Sequence, residues 1–449
     1  MKRYAVVLLV LAVFLIPVVP AAEVAVQESL ELATFDAAWE IIRDTHFDPT
    51  LNGVDWEQVR NELRPKAAET ENAAELRPIL LEMVGRLGQS HFSVIPKSAV
   101  EAESEAAGGG EGGGGEGDVG MDLRVLGEAL VVTAVDETGP AGTAGIKTGW
   151  LLQSVNGTPV SKWLELVREN EDWRSTGLRF MVVAMGSLTG SPGSTVDCVF
   201  IDGADTERAV ELTRRAAPGE PVKLGNLPPF QTRFGSEQID SETHGVIVGV
   251  LNFNFWMVPV AVQIDNAVDR FRDGDGLVFD LRGNLGGVGG MVMGVAGHIL
   301  DEKVSLGTFS TRTQTLNFNT NPRRVNRKGE RVKPFAGPVA ILVDGLSAST
   351  TEMFAAGLQE AGRARVFGRT SAGAVLPAYV DSLPNGDVLY HAIADYRTLS
   401  GVQVEGQGVQ PDETIQLDRT ALLEGRDQVM EAALKWIGEE IKKQDRSGS

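Results

Sequence analysis

The second half of the chain alternates apolar, strand-like runs with helical stretches, and this alternation constrains the fold more than any other feature. Three apolar runs occur, and a helical pattern follows each of the first two, in the order Gly276–Leu281, Met291–Leu300, Val339–Val343, Thr351–Ala361 and Ala364–Phe367. Short, wholly apolar runs suit strands that are covered on both faces, and connecting helices provide that cover. The pattern therefore predicts an α/β core within residues 216–449.

The region before this core divides into a helical part and a β part. Apolar side chains recur at helical spacings in two groups, which are Phe35, Trp39, Ile42 and His46, and then Leu76, Ile79, Leu80, Met83 and Leu87. This periodicity predicts a small helical bundle within residues 23–100. Residues 118–215 carry short β-like runs separated by turn sequences such as Asn156-Gly157, and they predict a β domain. Residues 101–117 contain only Glu, Ala, Ser and Gly, which predicts a flexible acidic linker.

The N-terminus has the three parts of a secretory signal peptide. Lys2-Arg3 precedes an apolar run at Tyr4–Val19, and the small residues Ala21-Ala22 follow. The alternative is a membrane anchor, but the apolar run of about 16 residues is short for a span of about 20. We therefore expect removal of residues 1–22, which would leave an exported chain, periplasmic or secreted, without a stable membrane anchor.

The composition excludes several classes of function. The 449 residues include 61 acidic and 41 basic side chains, which give a net charge of −20, and a single cysteine. Nucleic acid is not an expected partner, because an acidic surface repels phosphate. Cys198 has no disulfide partner in the chain, and no Cys/His cluster suggests a metal, so no metal or other cofactor is expected.

A serine at the start of a predicted helix is the first candidate for chemistry. Ser349 lies between a strand and a helix, where the helix N-terminus and its free N–H groups can stabilise an oxyanion. The alternative requires no catalysis, because Ser349 and Glu352 also form the sequence pattern of a helix capping box.

Three further places could contribute to a reaction. The glycines of Asp280–Gly287 allow backbone N–H groups to approach a substrate oxygen, although an ordinary βα turn has the same appearance. Ser90-His91 offers a base for a serine nucleophile, whereas a histidine considered alone is more often structural. Glu405 stands beside glycines and is either a turn residue or the group that orients a base.

The β domain resembles a PDZ domain. The resemblance lies in five short motifs, which are Val119-Gly120-Met121-Asp122-Leu123, Gly139-Pro140-Ala141, Ala144-Gly145-Ile146, Gly149-Trp150 and Val155-Asn156-Gly157. PDZ domains capture extended peptides, often C-termini, by adding them to the edge of a sheet. The alternative is another kind of small β domain.

Taken together, these sequences resemble the serine peptidases of the C-terminal processing protease and tricorn core protease group. The resemblance covers roughly residues 30 to 435, and it includes the last of the motifs, Gly408-Val409-Gln410-Pro411-Asp412. It implies a multi-domain protein with a helical bundle, a PDZ-like domain and a catalytic core of the crotonase-like ββα type.

The resemblance also indicates which branch of the group this chain follows. In the C-terminal processing branch, a lysine about 25 residues after the nucleophile accepts the proton, and Ala374 stands at that place. Alanine cannot accept a proton, so a Ser–Lys dyad is excluded there. The tricorn-like branch uses a histidine preceded by serine, together with a glutamate near the last motif. This chain has Ser90-His91 and Glu405 at those places.

The mechanism that the resemblance implies uses Ser349 as the nucleophile and His91 as the base, with Glu405 acting on the base through Ser90. The oxyanion hole would consist of the Thr350 N–H and an N–H from Gly286 or Gly287, which the sequence does not distinguish. The partner would be a peptide or protein substrate.

Two other functions are compatible with a crotonase-like fold. A hydratase or acyl-CoA enzyme is disfavoured by the predicted export and by the Ser/His/Glu set. A non-catalytic peptide- or lipid-binding protein is the stronger alternative, because vertebrate retinoid-binding proteins of the photoreceptor matrix resemble this peptidase core and serve as carriers.

Overall fold

The computed structural model describes residues 29–98, 117–168, 173–223 and 229–447. The expected signal peptide and nearly all of the expected linker lie outside the described residues.

Three helices and one 3₁₀ turn form the N-terminal part of the described chain. They are Leu30–Thr45, Leu51–Gly53, Trp56–Ala68 and Ala73–Gly85. Each helix begins at a residue whose side chain accepts a backbone N–H, namely Ser29, Asp55 and Asn72. Their shared core also contains Leu383 and Leu389, so the bundle packs onto the C-terminal half of the chain.

The β domain has one antiparallel sheet with two longer helices packed against it. Its five longer strands lie in chain order across the sheet, and a two-residue strand pairs with the third of them. The strands are Met121–Leu126, Ala129–Val135, Leu151–Val155, Thr158–Pro159, Thr195–Ile201 and Glu207–Thr213, and the helices are Pro140–Thr143, Val160–Arg168 and Trp173–Leu188. The β-like runs predicted these strands but did not reveal the last two helices.

The helix Trp173–Leu188 was not predicted from the sequence, because its stability comes from tertiary packing. Phe180, Met181, Ala184 and Leu188 are buried in the same core as the inward side chains of the sheet. Burial of one helical face against a sheet contributes more than the intrinsic propensity of the segment.

The C-terminal half contains a six-stranded sheet between two layers of helices, which confirms the predicted α/β core. The strands lie in chain order, and all neighbouring pairs are parallel except the first. They are Phe234–Ser241, Val246–Phe253, Gly276–Asp280, Val339–Val343, Arg365–Gly368 and Glu413–Thr414. The helices of this half are Val258–Arg270, Met291–Ala296, Thr350–Glu360, Arg419–Leu423 and Gln428–Ser447.

Alternating side chains of the central strand Val339–Val343 pack on opposite layers. Val339, Ile341 and Val343 share a core with three helices, Val258–Arg270, Met291–Ala296 and Thr350–Glu360. Ala340 and Leu342 share a core with the C-terminal helix Gln428–Ser447. This strand has the bounds predicted from its sequence.

The helix predicted at Met291–Leu300 ends earlier, at Ala296. The N–H groups of Asn321 and Arg323 donate to the carbonyls of Met293 and Gly297 at 2.9 and 2.8 Å. A Cβ atom on Gly297 would also collide with the Asn321 carbonyl. A crossing segment from elsewhere in the chain therefore closes this helix, and the local sequence cannot show such a contact.

Two three-stranded sheets connect these layers to the rest of the molecule. One has the order Ser93–Ile95, Val388–Ala392 and Ala378–Ser382, and the other has the order Thr315–Asn319, Ser305–Ser310 and Asp395–Arg397. The remaining short strands pair as Gly117–Asp118 with Arg215–Ala216 and as Glu220–Val222 with Phe230–Thr232. In the first sheet, the strand Ser93–Ile95, which follows His91, pairs with the strand Val388–Ala392 of the C-terminal half.

Candidate active site

Ser349 lies in a strained turn between the strand Val339–Val343 and the helix Thr350–Glu360. Its backbone angles are φ 56° and ψ −120°, a region that residues with a side chain rarely occupy. Buried Ser347 fixes the turn, because its hydroxyl donates to the carbonyl oxygen of Leu281 at 2.8 Å. Strain of this kind persists only where surrounding contacts impose it, and it clusters at functional sites.

Gly286 packs directly against this serine. A Cβ atom on Gly286 would lie 2.5 Å from Ser349 Cβ and 3.1 Å from Ser349 Oγ, and the φ of Gly286 is 96°. Both the contact and the backbone angle require glycine. The glycine turn and the candidate nucleophile, which are distant in the sequence, are therefore neighbours in the fold.

The three N–H groups considered for oxyanion binding differ in their partners. The Gly286 N–H donates to Asn284 Oδ1 at 2.9 Å. Among the residues that the structure describes, the N–H groups of Thr350 and Gly287 have no hydrogen-bond acceptor. The Thr350 hydroxyl donates to the Gly287 carbonyl at 2.8 Å, which joins the helix start to the glycine turn.

Glu352 is fully buried three residues after Ser349 and accepts four hydrogen bonds. Its Oε2 accepts from the N–H groups of Ser349 at 3.1 Å and Ala374 at 2.9 Å. Its Oε1 accepts from the Gly373 N–H at 2.7 Å and the Ser371 hydroxyl at 2.5 Å. Burial raises the pKa of Glu352 to about 7, although the four donors favour the charged form. The Glu352 half of the capping box is therefore present, and it belongs to a wider network around Ser349.

One peptide group connects the Ser349 turn with Glu405. The carbonyl oxygen of Ala374 accepts from the Ser349 N–H at 2.8 Å. The N–H of Val375, on the same peptide group, donates to Glu405 Oε2 at 2.9 Å. Ala374, which was predicted to stand at the lysine position of the C-terminal processing branch, is thus in direct main-chain contact with the serine.

Ser90, His91 and Glu405 form a continuous hydrogen-bonded chain. The Ser90 hydroxyl lies 2.7 Å from His91 Nδ1 and donates to Glu405 Oε2 at 2.9 Å. The Ser90 N–H donates to the other carboxylate oxygen at 2.8 Å. Burial raises the pKa of Glu405, while the hydrogen bonds from Val375 and Ser90 oppose that rise.

His91 is held in an unusual conformation beside an aromatic ring. Its φ is 62°, and its ring centroid lies 5.5 Å from that of Tyr390. Desolvation lowers the pKa of His91 to about 4, so the imidazole is neutral at neutral pH. A neutral imidazole can accept a proton, which a base requires.

Three of the other four histidines are buried and bound to partners away from Ser349. The pairs are His46 with Gln89, His298 with Asp265, and His391 with Asp381 and Thr45. The fourth, His244, lies in the turn between the strands Phe234–Ser241 and Val246–Phe253.

The structure thus assembles the predicted residues into two groups joined by the Ala374–Val375 peptide. Ser90, His91 and Glu405 form one group, and Ser349, Thr350, Gly286 and Gly287 form the other. Within the described chain, no hydrogen bond runs directly between the Ser349 hydroxyl and the His91 ring.

Sequence reasoning missed several parts of the site. It named Glu352 only as a helix cap, and it did not single out Asn284, Tyr390 or the main chain of Ala374. Asn284 offered a weak signal, because an amide among the glycines of a βα turn suits a buried, hydrogen-bonded role. Tyr390 offered none, because its position depends on strand pairing.

The described residues contain neither a cluster of metal-binding side chains nor a helix that could span a membrane. No group of three or more His, Cys, Asp or Glu side chains in the described part could hold a metal ion. In the same residues, no helix has the length and apolar character that crossing a bilayer requires.

Two segments of the chain match known protein families. Residues 247–415 match Peptidase family S41, and residues 32–85 match the Tricorn protease C1 domain. The chain is 24% identical over 385 residues to a carboxyl-terminal-processing protease of Picosynechococcus sp., which covers 84% of this chain and 81% of that protein. It is 25% identical over 423 residues to a putative tricorn protease homolog 2 of Streptomyces coelicolor, covering 89% of this chain and 32% of that one.

A solved structure shows the same fold. The photosystem II D1 C-terminal processing protease superposes with a TM-score of 0.59 at 20% identity, covering 91% of this chain and 98% of the other. The overall arrangement of helices and sheets is therefore that of a known multi-domain architecture.

Proposed function

On the match of residues 247–415 to Peptidase family S41, we propose that the chain is a serine peptidase, namely an exported endopeptidase that cuts unfolded or tail-exposed proteins. The observation that carries the proposal is the Ser90 hydroxyl, which bridges His91 Nδ1 and Glu405 Oε2 at 2.7 and 2.9 Å. In serine peptidases that use a histidine base, a further group orients the imidazole and stabilises its positive charge. Here a serine hydroxyl connects the imidazole to the carboxylate.

The direction of these hydrogen bonds assigns the proton on His91. The Ser90 hydroxyl donates to Glu405, so it accepts from His91 Nδ1–H. Nε2 then carries no proton and can accept one from Ser349. When His91 becomes positively charged, the dipole of the Ser90 hydroxyl and the negative charge of Glu405 stabilise the imidazolium.

The reaction proceeds in two halves. Ser349 Oγ attacks the peptide carbonyl while His91 Nε2 takes the hydroxyl proton, and the tetrahedral intermediate places a negative charge on the former carbonyl oxygen. His91 then gives the proton to the leaving amine, which leaves an ester between Ser349 and the N-terminal part of the substrate. A water molecule, deprotonated by His91, hydrolyses this ester and frees Ser349.

We assign the two oxyanion donors to the N–H groups of Thr350 and Gly287. Both lack an acceptor among the described residues, whereas the Gly286 N–H is already bound to Asn284. A donor without a competing acceptor is ready for a charge that appears only in the transition state. Gly286 then serves by allowing close approach to Ser349.

The β domain is proposed to act as a PDZ-like module that recruits extended substrate tails. Met121–Leu126 is one of the two edge strands of its sheet, and the addition of a peptide strand requires such an edge. Export is proposed from the signal-like pattern of residues 1–22, so the expected substrates are proteins outside the cytoplasm.

The test is cleavage of an unfolded protein by the purified chain, with the products identified by mass spectrometry. Wild type should cleave, whereas Ser349→Ala and His91→Ala should lose at least 10³-fold in rate, the usual cost of losing a member of such a group. Matched controls are Ser400→Ala, at an exposed loop serine, and His244→Ala, in a surface turn. Activity that survives in Ser349→Ala would refute the assignment, and a wild type that only binds peptides would favour the carrier function.

A further inference from the structure

We propose that Tyr390 is a positioning residue for the base, because its ring lies against the His91 ring and keeps the imidazole in the orientation in which Nδ1 meets the Ser90 hydroxyl. The inference rests on the proposed function, in which His91 is the base. The two ring centroids are 5.5 Å apart, and the planes are inclined by 44°. Ser90 holds only one edge of the imidazole, at Nδ1, so the tyrosine supplies a second, separate contact with the ring.

Strand pairing brings these two rings together. Tyr390 lies in the strand Val388–Ala392, directly opposite Ser93 in the adjacent antiparallel strand. Cross-strand neighbours of this kind have side chains within contact distance, and Ser93 follows His91 by two positions. The contact is therefore fixed by sheet register rather than by a flexible loop.

The strand alternates between structural and site-facing positions. Leu389 is buried in the core of the helical bundle, and His391 is bound to Asp381 and Thr45. Tyr390 lies between them, and side chains at successive positions point to opposite faces of a strand. The neighbours of Tyr390 thus anchor the strand, while Tyr390 itself is presented to His91.

A ring contact is needed here because the histidine backbone is not in a relaxed conformation. A residue with φ of 62° remains there only when its surroundings hold it. The tyrosine ring also keeps water from the side of the imidazole that it contacts. The titratable groups next to His91 in the described structure are Tyr390 itself and, through Ser90, Glu405.

The experiment compares Tyr390→Phe with Tyr390→Leu in steady-state peptide hydrolysis from pH 3.5 to 9. Phenylalanine keeps the ring and should retain kcat within about threefold of wild type. Leucine removes the ring face, and we expect kcat to fall at least tenfold with KM changed by less than twofold. Water entering beside the imidazole should also shift the acidic limb of kcat/KM upward by at least one pH unit.

Tyr379→Leu is the matched control, because Tyr379 lies on the neighbouring strand with 61% of its surface exposed. It should leave both kcat and the acidic limb unchanged. Circular dichroism and the melting temperature of each variant identify any general loss of folding. Tyr390→Leu with unchanged kcat and acidic limb would overturn the inference, as would an equal loss in Tyr390→Phe.

The outcomes separate this inference from the proposed function. If His91→Ala retains full activity, the base assignment fails and the Tyr390 inference fails with it. If His91→Ala is inactive and Tyr390→Leu behaves as wild type, only the positioning role is rejected. The His91 ring can also be followed directly by NMR titration, which should show the same upward pKa shift in Tyr390→Leu.

Discussion

The backbone N–H of Ser349 donates to the carbonyl oxygen of Ala374 at 2.8 Å, so the residue predicted to stand at the lysine position of the C-terminal processing branch lies directly against the proposed nucleophile. The Ala374 side chain is almost fully buried beside Ala348 and Ala372. The space next to the serine is therefore filled by small apolar groups, and the proton acceptor has to approach from another part of the chain.

This contact predicts that a lysine at position 374 can replace the missing base. In an inactive His91→Ala background, Ala374→Lys should raise the cleavage rate at least tenfold, because burial lowers the pKa of a lysine and makes it a better base. The measurement is the initial rate of peptide hydrolysis against that background. Ala372→Lys is the control, since the main chain of Ala372 contacts Ser347 rather than Ser349. Equal rates in the two double variants would contradict the prediction.

The low pKa of His91 predicts an unusually acidic onset of activity. The base must be neutral, so kcat/KM should rise with pH through about 4 and remain flat from about 5 to neutrality. The measurement is the pH profile of kcat/KM with a substrate that has no titratable side chains. A limb near 6.5, the ordinary value for histidine, would show that water reaches the imidazole in solution.

Replacement of Gly286 by alanine should remove most activity. The new Cβ would lie 2.5 Å from Ser349 Cβ, and φ of 96° is strained for any other residue. We expect kcat to fall at least 10²-fold. Gly289→Ala is the matched control, because the nearest atom to its Cβ is 3.7 Å away, at Phe309. Similar kinetics in the two variants would refute the close approach of Gly286 to the nucleophile.

The buried carboxylate of Glu352 should not tolerate replacement by glutamine. Both of its oxygens accept hydrogen bonds from N–H groups, so an amide NH₂ would face donors at one of these positions. We expect Glu352→Gln to lower the melting temperature and to reduce kcat at least tenfold.

Glu360→Gln on the same helix is the control for this variant. Its carboxylate accepts from the N–H groups of Leu399 and Ser400 at the surface, where water can compensate for a lost bond. The two variants should therefore differ clearly in melting temperature and in kcat. A Glu360→Gln variant as impaired as Glu352→Gln would show that the effect is one of helix stability alone.

The Glu352 carboxylate also predicts a pH dependence of stability. Because its folded-state pKa is raised to about 7, the folded chain holds a proton that the unfolded chain releases at lower pH. Its contribution to the unfolding free energy is therefore present below the ordinary value of 4.5 and is lost as pH rises to about 7. Denaturant unfolding of Glu360→Gln should keep this slope, and Glu352→Gln should lack it.

The sequence predicted the parts of this protein that depend on local pattern. Val339–Val343 is apolar throughout because the strand is buried on both faces, and its bounds follow from that run alone. The candidate residues of the site could be named from the sequence because each lies in a short motif that predicts a turn or the start of a helix. The resemblance to known peptidases supplied their roles.

What the sequence could not predict depends on contacts between distant segments. The helix at Met291 ends where Asn321 and Arg323 cross it, and no residue within that helix signals the crossing. Tyr390 approaches His91 only through the register of two strands. The choice between Gly286 and Gly287 likewise depends on the Asn284 side chain, whose orientation is set by the fold.

The order of the site along the chain has a consequence for the timing of activity. His91 comes before the whole β domain, Ser349 follows it, and Glu405 comes later still, in a loop near the end of the core. During synthesis, the earlier segments therefore exist for some time without the partners that complete them. With the proposed site, the chain gains the ability to cut proteins only when its C-terminal portion has folded, so late assembly serves the purpose that a removable inhibitory segment serves in other proteases.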